Sequence, residues 1–179
     1  MKLNTIFVLF CLQTGMIPSD QVQAAPGGSA ARHRERQSFD KSAYYAIMAT
    51  GDLDAVNGEL TLLTESSFSD KEAYEGALRM RSAGLLTFPA EKLRSFKTGR
   101  TQLESALSKD SANGEYHFLR LIIQEHAPGI VRYSKDLDKD RQIIRRTFSD
   151  LSPTVQKAIL NYSKRSKTLH PDDLDPKKN

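Results

Sequence analysis

Tryptophan is absent from the chain, and cysteine occurs once, as Cys11. A lone cysteine cannot close an intrachain disulfide, and no cysteine pair marks a metal centre. Glycine and proline, at 10 and 7 of 179 residues, are too few for a low-complexity chain. Neither sign of charge dominates: 26 basic and 22 acidic residues leave a formal net charge of +4, mixed through most of the length. That mixing lacks the clustered basic stripe of a nucleic-acid reader, so no nucleic acid is expected as partner. The longest apolar run, Ile6 to Leu12, falls well short of the roughly 20 residues a bilayer crossing takes, so no span is expected in the mature chain. What is present is Leu, Ile and Val enough for a real core, in a length that suits one domain or two small ones.

The first 25 residues read as a bacterial-type signal peptide: Lys2 as a minimal positive start, the short apolar run, then Val22-Gln23-Ala24 before cleavage after Ala24 or Ala25. Removing them loses Lys2 and Asp20, so the net charge stays the same. A buried N-terminal strand or helix is the alternative for this stretch. Bulky Phe10 directly before Cys11 argues against a lipidated cysteine, where a small residue is usual. The chain is therefore expected to be exported, periplasmic or secreted. Residues 26–37, with Arg32, His33, Arg34, Glu35 and Arg36, carry no apolar period and read as a flexible linker.

From residue 38 to 165 a helical period recurs, and one all-α domain of about six or seven helices is expected. Ser38 suits an N-cap for a helix with Phe39, Ala43, Ala46 and Ile47 on one face. Gly51 ends it, and Asp52 caps the next, which carries Val56, Leu60 and Leu63, widened by Ala55 and Leu62. Ser69 with Glu72 has the spacing of a capping box, with Phe68 as half of a hydrophobic staple. Pro89 fits the first position of a long helix whose stripe runs Leu93, Phe96, Arg100, Leu103 and Leu107. Gly99 inside it marks either close approach of a neighbouring helix or a break near Lys97. Tyr116, Leu119, Ile122 and Ile123 make the next helix the most apolar, and Pro128-Gly129 ends it. Leu137, Ile143, Ile144 and Phe148 anchor a charge-dense helix. Ser152 and Pro153 open the last one, with Val155, Ala158, Ile159 and Tyr162 as its packing face. Residues 166–179 read as a loose tail.

The hairpin with Phe39, Ala43, Gly51-Asp52 and Ala55, followed about 35 residues later by Tyr74, Ala77 and Leu78, resembles the small-residue plan and 34-residue period of tetratricopeptide repeats. A second fragment, Gly99, Leu103, Ala106, Leu107 and Asp110, is similar, with Tyr116 and Phe118 opening the following helix. Ala43 and Ser111 stand where that family has glycine and proline. The resemblance implies a short right-handed stack of antiparallel hairpins with a concave, non-catalytic face that binds a peptide or protein segment. An irregular helical bundle accommodates the same residues.

No chemistry-bearing motif competes with that reading. His33 and His170 fall outside the periodic segments. Glu115 and His117 are two apart and do not share a helix face, so His117 reads as a surface or groove-edge residue. His117, Glu125 and His126 lack metallohydrolase spacing. Asp136, Asp138 and Asp140 alternate like the start of a calcium loop. Arg141 and Thr147 occupy the positions where that loop needs glycine and glutamate, leaving a solvated acidic helix face. No metal and no cofactor are expected. The candidates for partner contact are Arg120, Arg145 and Arg146, which suit carboxylate recognition, and the aromatics Tyr116 and Tyr162. The expected function is an exported helical scaffold or adaptor. The alternative is a small exported enzyme whose site is assembled between helices.

Overall fold

A computed structural model describes residues 39–175, which form seven α-helices and three short 3-10 turns, with no strand among the described residues. The expected signal peptide (1–25), the linker (26–37), Ser38 and residues 176–179 lie outside them. In chain order the helices are α1 Lys41–Ala49, α2 Leu53–Glu65, α3 Lys71–Leu85, α4 Pro89–Lys109, α5 Gly114–His126, α6 Leu137–Thr147 and α7 Pro153–Ser163.

Short polar side chains start three of these helices. Asp52 Oδ1 accepts from the backbone N–H groups of Asp54 and Ala55 at 2.9 and 3.1 Å. Asn113 Oδ1 does the same for Glu115 and Tyr116 at 3.1 and 3.2 Å. At α1 the cap is Asp40 in place of the expected Ser38, accepting from Ser42 and Ala43 at 2.8 and 3.3 Å. Each such cap satisfies orphan donors and contributes about 1 kcal/mol. Pro89 and Pro153 take first-turn positions as expected. The Ser69–Glu72 box does not form: Asp70 sits at the cap position, and the Ser69 hydroxyl donates to Asp70 instead.

The α3–α4 pair is the most intimate in the fold, and two glycines explain it. α4 runs unbroken through Gly99, so the break considered at Lys97 is absent. Gly76 on α3 and Gly99 on α4 meet where the helices cross. A Cβ placed on Gly76 would lie 2.7 Å from both the Gly99 carbonyl oxygen and the Leu103 nitrogen. The backbones touch there because neither residue has a side chain.

α5 lies at the centre. Ten of its thirteen residues are buried, and it feeds two cores. Tyr116, Leu119 and Ile123 join one with Tyr44, Tyr74, Leu78 and Leu103. Phe118 and Leu121 join the other with Ile144, Val155, Ile159 and Leu169. The described residues are thus all-α, built of antiparallel helical hairpins packed on one another. α1 also packs against α7, which a linear repeat array, where each unit touches only its neighbours, does not do. The arrangement closes on itself.

Three expectations about faces are corrected. On α1 the buried residues are Tyr44 and Met48, while Ala43 and Ala46 are exposed; a hydrogen bond from the Tyr44 hydroxyl to the Tyr74 carbonyl at 3.1 Å makes burial of the phenol tolerable. Leu62 does not widen the α2 stripe and is exposed. Residues 166–175 are not a loose tail. Leu169 and Leu174 enter the second core, and Arg141 donates to both carboxylate oxygens of Asp173 at 2.6 and 3.0 Å.

Candidate functional site

One face of α5 is polar, yet it is buried. His117, Arg120 and Gln124 follow at three- and four-residue steps and so project together toward α6. There they meet Asp140, which is fully inaccessible to solvent. Asp140 accepts from Arg120 at 2.6 and 2.9 Å, from Gln124 at 2.6 Å and from His117 Nδ1 at 2.6 Å. A buried carboxylate with this many donors is satisfied; stripped of them it would be strongly destabilising. Arg120 Nη1 also reaches Glu104 at 3.0 Å, and Tyr133 donates to the same carboxylate at 2.6 Å. Burial alone would lower the Arg120 guanidinium, but hydrogen bonding to Asp140 and the charges of Asp140, Glu104 and Asp136 outweigh it and hold it above its ordinary value. The second nitrogen of His117 faces the Ser111 carbonyl at 3.0 Å. Both ring nitrogens therefore face oxygen atoms of the protein, and neither is open to solvent. Every polar group of this network already has a partner.

This corrects two expectations. Asp140 does not belong to a solvated acidic face, and His117 is not at the surface. The signal was present in the sequence: Asp140 stands three and four residues before Ile143 and Ile144, on the same side of α6, opposite the polar face of α5.

The accessible feature is a groove of about 1530 Å³ lined from α1, α3, α4, α5 and α7. Its apolar lining includes Ala46, Ile122 and Ala158, together with the buried core residues Met80 and Phe118. Leu93 and Ile130 also line it, 48% and 91% exposed, and Phe88, 65% exposed, immediately precedes the lining residue Pro89. Large apolar side chains gathered at one place make a patch, unlike the singly scattered ones that every surface carries. Every fully charged side chain in the lining is basic: Arg81, Lys92, Lys97, Arg100, Lys157 and Arg165. These six exceed the whole chain's formal surplus of +4, so the remainder of the chain is net acidic.

The lining arginines are positioned by apolar or neutral contacts. Arg81 donates to the Met48 carbonyl at 3.1 Å and also to that of Thr50, and burial lowers its guanidinium from the ordinary value. Arg100 stacks over the Tyr133 ring at 4.9 Å and Arg165 over the Tyr162 ring at 5.7 Å. Lys92, Lys97 and Lys157 are exposed.

Of the residues singled out from the sequence, Tyr162 lines this groove, with its hydroxyl donating to Glu125 at 2.5 Å. Burial and that hydrogen bond push the Tyr162 phenol above its ordinary range. Tyr116 is buried in the first core, and Arg120 lies in the Asp140 network. Arg145 is half-buried 3.8 Å from Asp173, and Arg146 is exposed on α6. The fold therefore does not gather these five into one site. His126 lines the groove with Nδ1 against the Ile122 carbonyl at 2.8 Å, while Glu125 is taken by Tyr162, Ser166 and Thr168. Among the described residues no group of three His, Cys, Asp or Glu side chains is placed to hold a metal ion, and no helix is long and apolar enough to cross a membrane.

No protein-family model, curated protein or solved structure matches this chain.

Proposed function

We propose that this chain is an exported, non-catalytic helical scaffold or adaptor that holds a protein or peptide segment in the groove between α1, α3, α4, α5 and α7. The observation that carries this reading is the groove's size together with its lining. At about 1530 Å³ it exceeds the roughly 300–1000 Å³ of sites that enclose a small molecule. Its apolar surface and exposed aliphatic rim suit a guest that brings several apolar side chains at once.

The enzyme alternative would look first to His117 and Asp140, where a histidine and a carboxylate converge. Both are buried, and the second ring nitrogen of His117 is directed at a backbone carbonyl, leaving no ring atom for a substrate. That favours a structural role for the pair.

The test is selection of peptides from a displayed library against the full chain and against Ala46→Trp. Ala46 is an exposed groove residue, so the indole fills space there without entering the core. Peptides retained by the parent and lost by the variant are expected. Peptides retained equally by both would overturn the groove as the binding surface. Export is tested separately: the N-terminus of the chain recovered outside the cytoplasm should be Ala25 or Pro26.

A further inference from the structure

We infer that the segment received by this groove is an acidic amphipathic α-helix of about three and a half turns; the inference rests on the groove reading above and adds the chemistry of the guest. Charge is the first argument. The charged lining side chains Arg81, Lys92, Lys97, Arg100, Lys157 and Arg165 are all basic, and among the described residues none is paired with a carboxylate. They come from α3 and α4 and, separately, from α7 and the residues just after it, so no single helix explains the bias. Complementary carboxylates on a guest would gain both orientation and encounter rate.

Backbone chemistry is the second argument. An extended peptide carries unpaired N–H and C=O groups, which need partners when buried. Ala46, Leu93, Ile122, Ile130 and Ala158 offer side chains that cannot supply them, and no strand edge exists among the described residues. A helix closes its own hydrogen bonds and presents only side chains. Size agrees. A helix about 10 Å across that rises about 1.5 Å per residue fills 1530 Å³ in about 13 residues. The exposed alanines Ala46 and Ala49 in the lining suit it too, since alanine lets a helix approach closely.

Other occupants fit less well. Residues 30–37 of this chain carry Arg32, Arg34 and Arg36 against Glu35, so they bring like charge to a basic groove. A second copy presenting the same groove meets the same repulsion. A bilayer surface is flat and would touch the rim lysines without entering the concave lining.

The experiment titrates the full chain into three fluorescein-labelled peptides of about 13 residues. All share leucines at helical spacing, with Glu, Gln or Lys on the opposite face. The Glu peptide should bind about tenfold tighter than the Gln peptide, and the Lys peptide least. Its affinity should fall severalfold as salt rises from about 0.05 to about 0.3 M. Lys92→Glu/Lys97→Glu, at two exposed positions and checked by circular dichroism, should weaken the Glu peptide about tenfold while leaving the Gln peptide unchanged. Equal binding of all three peptides, blocked by Ala46→Trp, would overturn the acidic guest and leave the groove reading standing. Failure of all three would overturn both. Polyglutamate binding as tightly as the Glu peptide, or anionic phosphatidylglycerol vesicles captured in preference to it, would also overturn the inference.

Discussion

Replacing Gly99 by alanine should destabilise the protein, although alanine is the better helix former. On propensity alone the change would gain about 0.5–1 kcal/mol, because glycine loses more backbone freedom on folding. At this site, however, the new methyl group would meet the Gly76 carbonyl oxygen, closer than any real Cβ contact, and would lie 2.9 Å from both Arg79 Cβ and Met80 Cγ. The carbonyl is backbone within α3 and cannot step aside, so the two helices must separate. Overpacking of this kind costs about 1–3 kcal/mol. The net expectation is a loss of about 0.5–2 kcal/mol, or a few degrees in melting temperature for a chain of this size. Gly58 supplies the internal control. It is exposed within α2, a Cβ there meets nothing within 4 Å, and Gly58→Ala should gain about 0.5–1 kcal/mol. Guanidinium unfolding followed by far-ultraviolet circular dichroism reads both variants. If they shift stability in the same direction, the glycine crossing is not what holds α3 against α4.

Three further outcomes follow from the same structure. Asp140→Asn removes the buried charge that Arg120 and His117 share and should cost about 3–5 kcal/mol in guanidinium unfolding; a loss below about 1 kcal/mol would show the network to be dispensable. All six tyrosine phenols are held above their ordinary value, burial being the largest cause for each, with Tyr116 the least displaced at about 12. Their contribution is complete below pH about 10 and is lost as pH rises further, so tyrosinate absorbance should appear only together with alkaline unfolding; several tyrosines ionising near pH 10 in a still-helical protein would contradict their placement. Asp173 is lowered chiefly by its hydrogen bond from Arg141, and Glu125 is lowered because hydrogen bonds from Ser166, Tyr162 and Thr168 outweigh the effect of burial. Both contributions are present above pH about 4 and fade as pH falls through the lower folded values, so NMR amide shifts of Thr168, Leu169 and His170 should move in acid before those of α3 and α4.

Much of the fold could be read along the chain because its causes are local. Asp52 caps a helix whatever lies beyond it, and Pro89 and Pro153 suit first turns by their own geometry. Where reading stopped, the cause lay in another helix. His117 looked superficial because Glu115 does not share its face, but the residues that matter are Arg120 and Gln124, and their destination is Asp140 on α6. The acidic alternation at Asp136, Asp138 and Asp140 invited one environment for all three, whereas the helix turns only Asp140 fully inward. The groove is harder still. Lys92, Lys97 and Lys157 each look like ordinary solvated lysines, and only the contact of α1 with α7 brings distant stretches to one surface. Period and spacing report which face a residue takes, but not which neighbour that face will meet.

That contact also sets an order of events. Lys157, Ala158 and Tyr162 lie on α7, more than 50 positions along the chain from the α4 residues they face, so one wall of the cleft is missing until Pro153–Ser163 has been made and packed. A nascent chain ending before Pro153 lacks that wall, however well α1 to α6 have already packed.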